Sequence, residues 1–232
     1  MDKDYWPRLH KLSHLPVTVY VGQSTYVPPG IGEAYARLVG YFELGKHEEE
    51  NMQQKMVLRD KVDLIFELSG PNHQPRKMDD GTLIPHRVTV QETLSFSDRA
   101  NFFKLFTMMN QAHGGQFTHM AQLLGKAFRV EVFHRKSADG KKVYANLKGP
   151  NGYSVGSAGR HNVDPPITAL RYFIWAWSYS DMWESIYIPG EYPATLDDKG
   201  GVISPARSRN VLQERIQAAV NWSEHPLSKL VR

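Results

Sequence analysis

Between positions 36 and 148 the chain alternates apolar and polar residues in short runs broken by Gly, Pro and Asn. Leu38, Gly40, Phe42 and Leu44 alternate with Arg37, Val39, Tyr41 and Glu43, which predicts a strand over 36–45. Positions 46–60 are polar, with Glu48, Glu49 and Glu50 in a row, and read as a solvated loop. Val62, Leu64, Phe66 and Leu68 predict a second strand, stopped by Ser69-Gly70-Pro71. A third spans about 86–94. The period then changes to that of a helix over 98–110, with Phe102, Leu105, Phe106 and Met109 on one stripe and Ser97 as its cap. A short second helix over 118–124 ends at Gly125. Period two returns at Phe128, Val130 and Val132, turns at Ser137-Ala138-Asp139-Gly140, and resumes at Val143, Ala145 and Leu147.

The last third is less regular. Positions 169–183 hold Trp175, Trp177 and Trp183 and fit either a strand or a short helix packed on the core. Ser204-Pro205 predicts the start of a helix to about Asn221, with Val211, Leu212, Ile216, Ala219 and Val220 on its apolar face. The first 33 residues, interrupted by Pro7, Pro16, Pro28 and Pro29, read as an arm with one possible edge strand over 17–21.

Three strands, a helix and two strands is the connectivity of an OB-fold, a five-stranded Greek-key barrel with a helix plugging one end. The expected fold class is therefore an all-β core with added helices. An N-terminal arm (1–33) precedes the barrel (34–150), and a C-terminal helical extension (151–232) packs on it.

Composition narrows the chemistry. The 232 residues include no Cys, which excludes disulfides, thiolate metal sites and a cysteine nucleophile, and suits a reducing cytoplasm. No stretch approaches the roughly 18 apolar residues of a spanning helix, and no signal peptide opens the chain, so a membrane role is not expected. The ten His residues form no HExxH or HxH spacing, and no Walker loop occurs, so neither a metal nor a nucleotide cofactor is expected. Ser154, Ser157 and His161 lie near one another in a Gly-rich stretch that reads as a polar loop. Nothing here points to an enzyme.

The net charge is only +4, yet it is unevenly placed. Positions 124–148 carry seven Lys or Arg against two acids, leaving 21 bases and 22 acids elsewhere. If the apolar set of each strand faces inward, the opposite set is wet. That set, with the hairpin cations, supplies the candidate DNA-binding residues: Arg37, Tyr41, Lys61, Arg87, Lys126, Arg129, Phe133, Arg135, Lys141, Lys142, Tyr144, Asn146 and Lys148. Cations that track phosphates, interleaved with aromatic faces that stack bases, are how single strands are bound without regard to sequence.

Several segments carry a resemblance. Ala36-Arg37-Leu38-Val39-Gly40-Tyr41-Phe42-Glu43-Leu44-Gly45, Val62 to Leu68, Thr93-Leu94-Ser95, Leu123-Leu124-Gly125-Lys126 and Gly140-Lys141-Lys142-Val143-Tyr144-Ala145-Asn146-Leu147 occur in that order. In this the chain resembles the replicative single-stranded DNA-binding proteins of tailed bacteriophages, an OB-fold family. The resemblance covers about 34–149. It implies coating of single-stranded DNA in phage replication or recombination, in the host cytoplasm, without cofactor or catalysis. Contacts with replication or recombination proteins would accompany it, and because cations on a groove also attract duplexes, weaker binding of double-stranded DNA is expected too. One departure is the end of the chain, Leu227-Ser228-Lys229-Leu230-Val231-Arg232, which lacks the acidic tail many such proteins use for recruitment. The competing expectation is a structural or assembly protein using the barrel as a scaffold.

Overall fold

The computed structural model describes residues 27–230 apart from positions 138, 162 and 198. The expected edge strand at 17–21 and most of the arm lie outside the described residues. Strands dominate and helices are few.

Three antiparallel strands form a meander: β1 (Gly32–Glu50), β2 (Met56–Ser69) and β3 (His86–Thr93). Helix α1 (Asn101–Gln111) and a 3-10 turn (Met120–Leu123) lead to β4 (Ala127–Lys136) and β5 (Val143–Asn146). Two further strands follow, β6 (Val155–Ser157) and β7 (Arg171–Phe173). The sheet runs β6–β4–β1–β2–β3, with β5 also on β4 and β7 also on β1. Alternation produces the interior as expected along β2, β3 and β4, where Val62, Leu64, Phe66, Val88, Val90, Phe128, Val130 and Val132 are all buried. The α1 stripe Phe102, Leu105, Phe106 and Met109 joins the same core.

The expected barrel is not closed by hydrogen bonds. Among the described residues no ladder joins β3 to β5. Side chains bridge that seam instead. Glu92 of β3 accepts from Lys148 at 3.1 Å, from the Tyr153 hydroxyl at 2.7 Å and, more weakly, from Asn101 at 3.4 Å.

Four local expectations need correction. The first is the loop at 46–60, which is mostly strand: β1 and β2 continue as a hairpin arm to a turn at Asn51–Lys55. Its backbone ladder needs no apolar face, and Glu49 is paired across it with Lys61 and with Arg59 at 3.6 Å. The Asn51 side chain closes the turn by accepting from the Gln53 and Lys55 amides at 2.8 and 3.0 Å. Second, Ser97 is not the cap of α1. The helix starts at Asn101 behind Ala100, while the Ser97 carbonyl accepts from the Ala100 amide in a preceding turn.

The third correction concerns the C-terminal region, which is not simply a helical extension. It inserts β6 beside β4 and β7, in parallel, beside Gly40–Phe42 of β1. Positions 169–183 are strand, then a 3-10 turn (Trp175–Trp177), then helix α2 (Ser180–Ser185). Fourth, the helix expected from Pro205 shrinks to α3 (Val211–Gln217). The β-branched pair Val202-Ile203 instead forms a ribbon with Thr195–Leu196, and Arg207–Ser208 pairs with Glu191–Tyr192. Only part of the expected apolar face is buried, chiefly Ile216 and Ala219, while Val211 and Val220 stay exposed.

One irregularity decides what faces outward. The β1–β2 register slips by one residue between Leu38 and Gly40 and again between Glu43 and Gly45, so Val39 and Leu44 are the extra residues of two β-bulges. A one-residue slip exchanges the faces of a strand. Between the bulges Tyr41 lies opposite Leu64 and Glu43 opposite Val62, on the interior side, while Phe42 lies opposite Asp63. The turned-in pair is satisfied internally. The Tyr41 hydroxyl donates to Glu43 at 2.7 Å, the Trp175 amide donates to Glu43 at 2.9 Å, and His119 lies 3.5 Å from the same carboxylate.

The outward side of β1 and β2 is roofed by the C-terminal region. Glu67 accepts from the Ile167 and Thr168 amides, both at 2.7 Å. Arg215 of α3 grips Asp63 with both terminal nitrogens. The Trp175 ring lies directly on Gly45, whose φ of +79° and missing side chain admit it. Phe173, Trp175, Trp183, Trp222 and His225 pack edge-to-face or stacked in one cluster behind that contact.

Candidate nucleic-acid interface

The β4–β5 hairpin gathers most of the expected site. Its register sets Phe133 opposite Asn146 and Arg135 opposite Tyr144. Directly opposed residues share a face, so these four form two rungs on the side away from Val130 and Val132. Arg129 continues the row toward the body, exposed and 3.6 Å from Glu33. Beyond the rungs, Lys141 and Lys142 crown the tip, also exposed. The tip is built by local hydrogen bonds. Gly140 takes a φ of +70°, the Lys142 amide donates to the Ser137 hydroxyl at 2.9 Å, and Asp139 accepts from the Lys141 amide at 3.1 Å. The Ser137 hydroxyl bond to Asp139 holds that carboxyl below its usual range, so it stays ionised between the lysines.

The two aromatics differ in availability. Tyr144 is 45% exposed. Phe133 is half-buried because its ring rests on Gly149, where an added Cβ would come within 2.5 Å of it.

The remaining expected residues do not join this surface in the same way. Lys126 is exposed, with its ammonium 5.7 Å from the Phe117 ring. Lys148 is engaged by Glu92 and lies 5.9 Å from the Tyr153 ring. On the outer row of β3, Arg87 is exposed opposite Glu67; burial first, and the Arg87 charge second, pull the Arg171 guanidinium below its usual value. Lys61 is committed to Glu49. Arg37 is turned to architecture, donating to the carbonyls of Asp164 and Gly125, both at 2.7 Å, and to that of Val163.

The expectation that Tyr41 faces outward is overturned. The first bulge turns it inside, where it is fully buried, and burial beside Glu43 pushes its hydroxyl well above the usual range. It remains a proton donor and offers no face for stacking.

Two features escaped the reading of the sequence. Lys136 is exposed beside the tip although it lies on the other face, opposite Val143. Farther along, Arg207 and Arg209 place their guanidiniums 5.1 and 5.3 Å from the Tyr192 ring, a second cation–aromatic grouping. Its signal was the i, i+2 spacing of the two arginines, which sends both to one side of a strand.

Gly152-Tyr153-Ser154-Val155-Gly156 has the spacing of a hydrolase nucleophile turn, but that turn must join a strand to a helix. Here Ser154 is exposed between two short strands, and the His161 ring packs on Tyr35. Among the described residues no group of three His, Asp or Glu could hold a metal ion. No helix among them is long and apolar enough to cross a membrane.

What the fold and site define is a class: a mostly antiparallel β core that displays a cationic hairpin. Comparisons with protein-family models, with curated proteins and with solved structures find no match to this chain.

Proposed function

We propose that this chain is a sequence-independent single-stranded DNA-binding protein on an OB-type core, with the β4–β5 hairpin as its main contact. The observation that carries the reading is the hairpin register, which sets Arg135 beside Tyr144 and Phe133 beside Asn146 below the lysines of the tip. Cations spaced along a strand track phosphates, and a half-exposed tyrosine between them offers a base a stacking face worth about 1–3 kcal/mol. The OB-type reading is supported by the order of meander, helix and hairpin, and by β1 pairing β2 on one edge and β4 on the other. The role assigned is that expected from the resemblance: coating single strands in phage replication or recombination in the host cytoplasm, without catalysis, with double strands bound more weakly.

Titration of labelled oligo-dT at low salt tests the proposal. Binding at micromolar protein or below is expected, weakened by Tyr144→Ala. No binding sinks it, and an undiminished Tyr144→Ala variant moves the contact elsewhere.

A second reading, a structural or assembly protein, draws support from the ribbon at 195–204, where Leu196, Val202 and Ile203 are each more than half exposed. An oligomer whose mass is indifferent to DNA would favour it.

A further inference from the structure

A cleft of about 660 Å³ lies between the outer face of α1 and the turn that follows β5. That size falls within the range of small-ligand sites. The wall from the helix consists of Asn101, Phe103, Lys104, Thr107 and Met108, and Asn151 stands on the turn opposite. None of these was a candidate in the sequence, because α1 reads as a barrel plug whose important face is the buried one.

The chemistry of the cleft is selective. Two cations border it, Lys104 and Lys148, and they are offset by Asp98 on the rim and by Glu92, which holds Lys148 at 3.1 Å. The site is therefore close to neutral and a poor place for a phosphate. Phe103 and Met108 are half-buried and supply an apolar wall, while the Asn151 amide can donate and accept, and the Thr107 hydroxyl, whose proton goes to the Phe103 carbonyl at 2.9 Å, can accept from a hydrogen-bonding edge. A neutral, flat group with polar edges fits these demands, and a nucleobase is such a group.

Position adds the second argument. The outward row of the hairpin runs from Arg135 and Tyr144 to Phe133 and Asn146, and the Phe133 ring rests on Gly149. Gly149 lines the cleft. A strand lying along the row is thus delivered to the cleft mouth.

We infer that this cleft receives an unstacked base of the bound single strand, while the hairpin cations hold its phosphates. The inference rests on the proposed single-stranded DNA binding and deepens it by naming a second, base-holding subsite. Two obstructing variants test it: Thr107→Trp from the helix side and Asn151→Trp from the exposed turn, the latter leaving the helix intact should the former fail to fold. Each is titrated with oligo-dT and with an abasic oligonucleotide of equal length, beside the parent protein. The parent should prefer oligo-dT, and both variants should lose roughly tenfold of that preference, the worth of one held base. Their binding to the abasic strand should be unchanged. If both variants keep the full preference while Lys141→Ala/Lys142→Ala weakens both oligonucleotides, the cleft is not the base site and the hairpin reading stands. If the parent binds neither oligonucleotide, both ideas fall.

Discussion

Removing the two tip lysines gives the most quantitative prediction. Arg135, Lys136, Lys141 and Lys142 are exposed, and none has an ion-pair partner among the described residues. If each neutralises one phosphate, log K falls against log salt with a slope of about −2.8, from about −0.7 per contact on single strands. Raising salt from about 50 to 200 mM should then weaken binding about 50-fold. Lys141→Ala/Lys142→Ala leaves two contacts, a slope of about −1.4 and only about a sevenfold loss over the same range. The tip is shaped mainly by Ser137, Asp139 and Gly140, so the double variant should keep its fold, which circular dichroism checks. Fluorescence anisotropy of labelled oligo-dT at four or five salt concentrations reads the slopes. A parent slope near zero, or one that the double variant leaves unchanged, refutes phosphate tracking by this hairpin.

Three further predictions concern the architecture around it. Glu43→Ala strands the buried donors of Tyr41 and Trp175, each costing about 1–3 kcal/mol, so urea denaturation should show a loss of about 3 kcal/mol. Glu43→Gln should lose less. Gly45→Ala combines a positive φ with overlap of the Trp175 ring, and should cost about 2 kcal/mol or more and shift the tryptophan emission. His225 is buried, its Nδ1 accepts from the Leu227 amide at 3.2 Å, and burial holds its pKa below the usual 6.5. The unfolded chain therefore binds more protons in that window. Stability from this group is full above about pH 6.5 and declines as pH falls toward the depressed value. Thermal melts from pH 8 to 5 should show that decline, reduced in His225→Gln; identical profiles would remove His225 as its source.

What was legible in the sequence follows one rule: elements whose partners are near in the chain, with one face wet and one dry, could be read. β2, β3, β4 and the α1 stripe are of that kind, and so is the β4–β5 hairpin, whose cations and turn residues lie within one short window. β1 was read correctly only up to Leu38, because the bulge at Val39 has no compositional mark and inverts the faces after it. The arm beyond Gly45 was hidden because 46–50 carries no apolar residue and Met56-Val57-Leu58 is an unbroken apolar run with no alternation. Arg37 and Lys61 looked like free cations because their carbonyl and carboxylate partners cannot be paired with them from spacing alone. β6 and β7 are three-residue strands, too short for any period to register, and their ladders join positions far apart.

That distance bears on the birth of the protein. Gly40 waits for Arg171, 131 positions later, before its second ladder can form. At about 5–20 residues per second of synthesis, the free edge of β1 stands open on the ribosome for roughly 7–26 s. During that interval Phe42 lacks Phe173, its partner in the parallel ladder, and Gly45 lacks the indole that seals it. A nascent chain with an open strand edge and uncovered aromatics is what holding chaperones bind. Expression yield of this protein should therefore depend on translation speed and chaperone supply through the last third of its message.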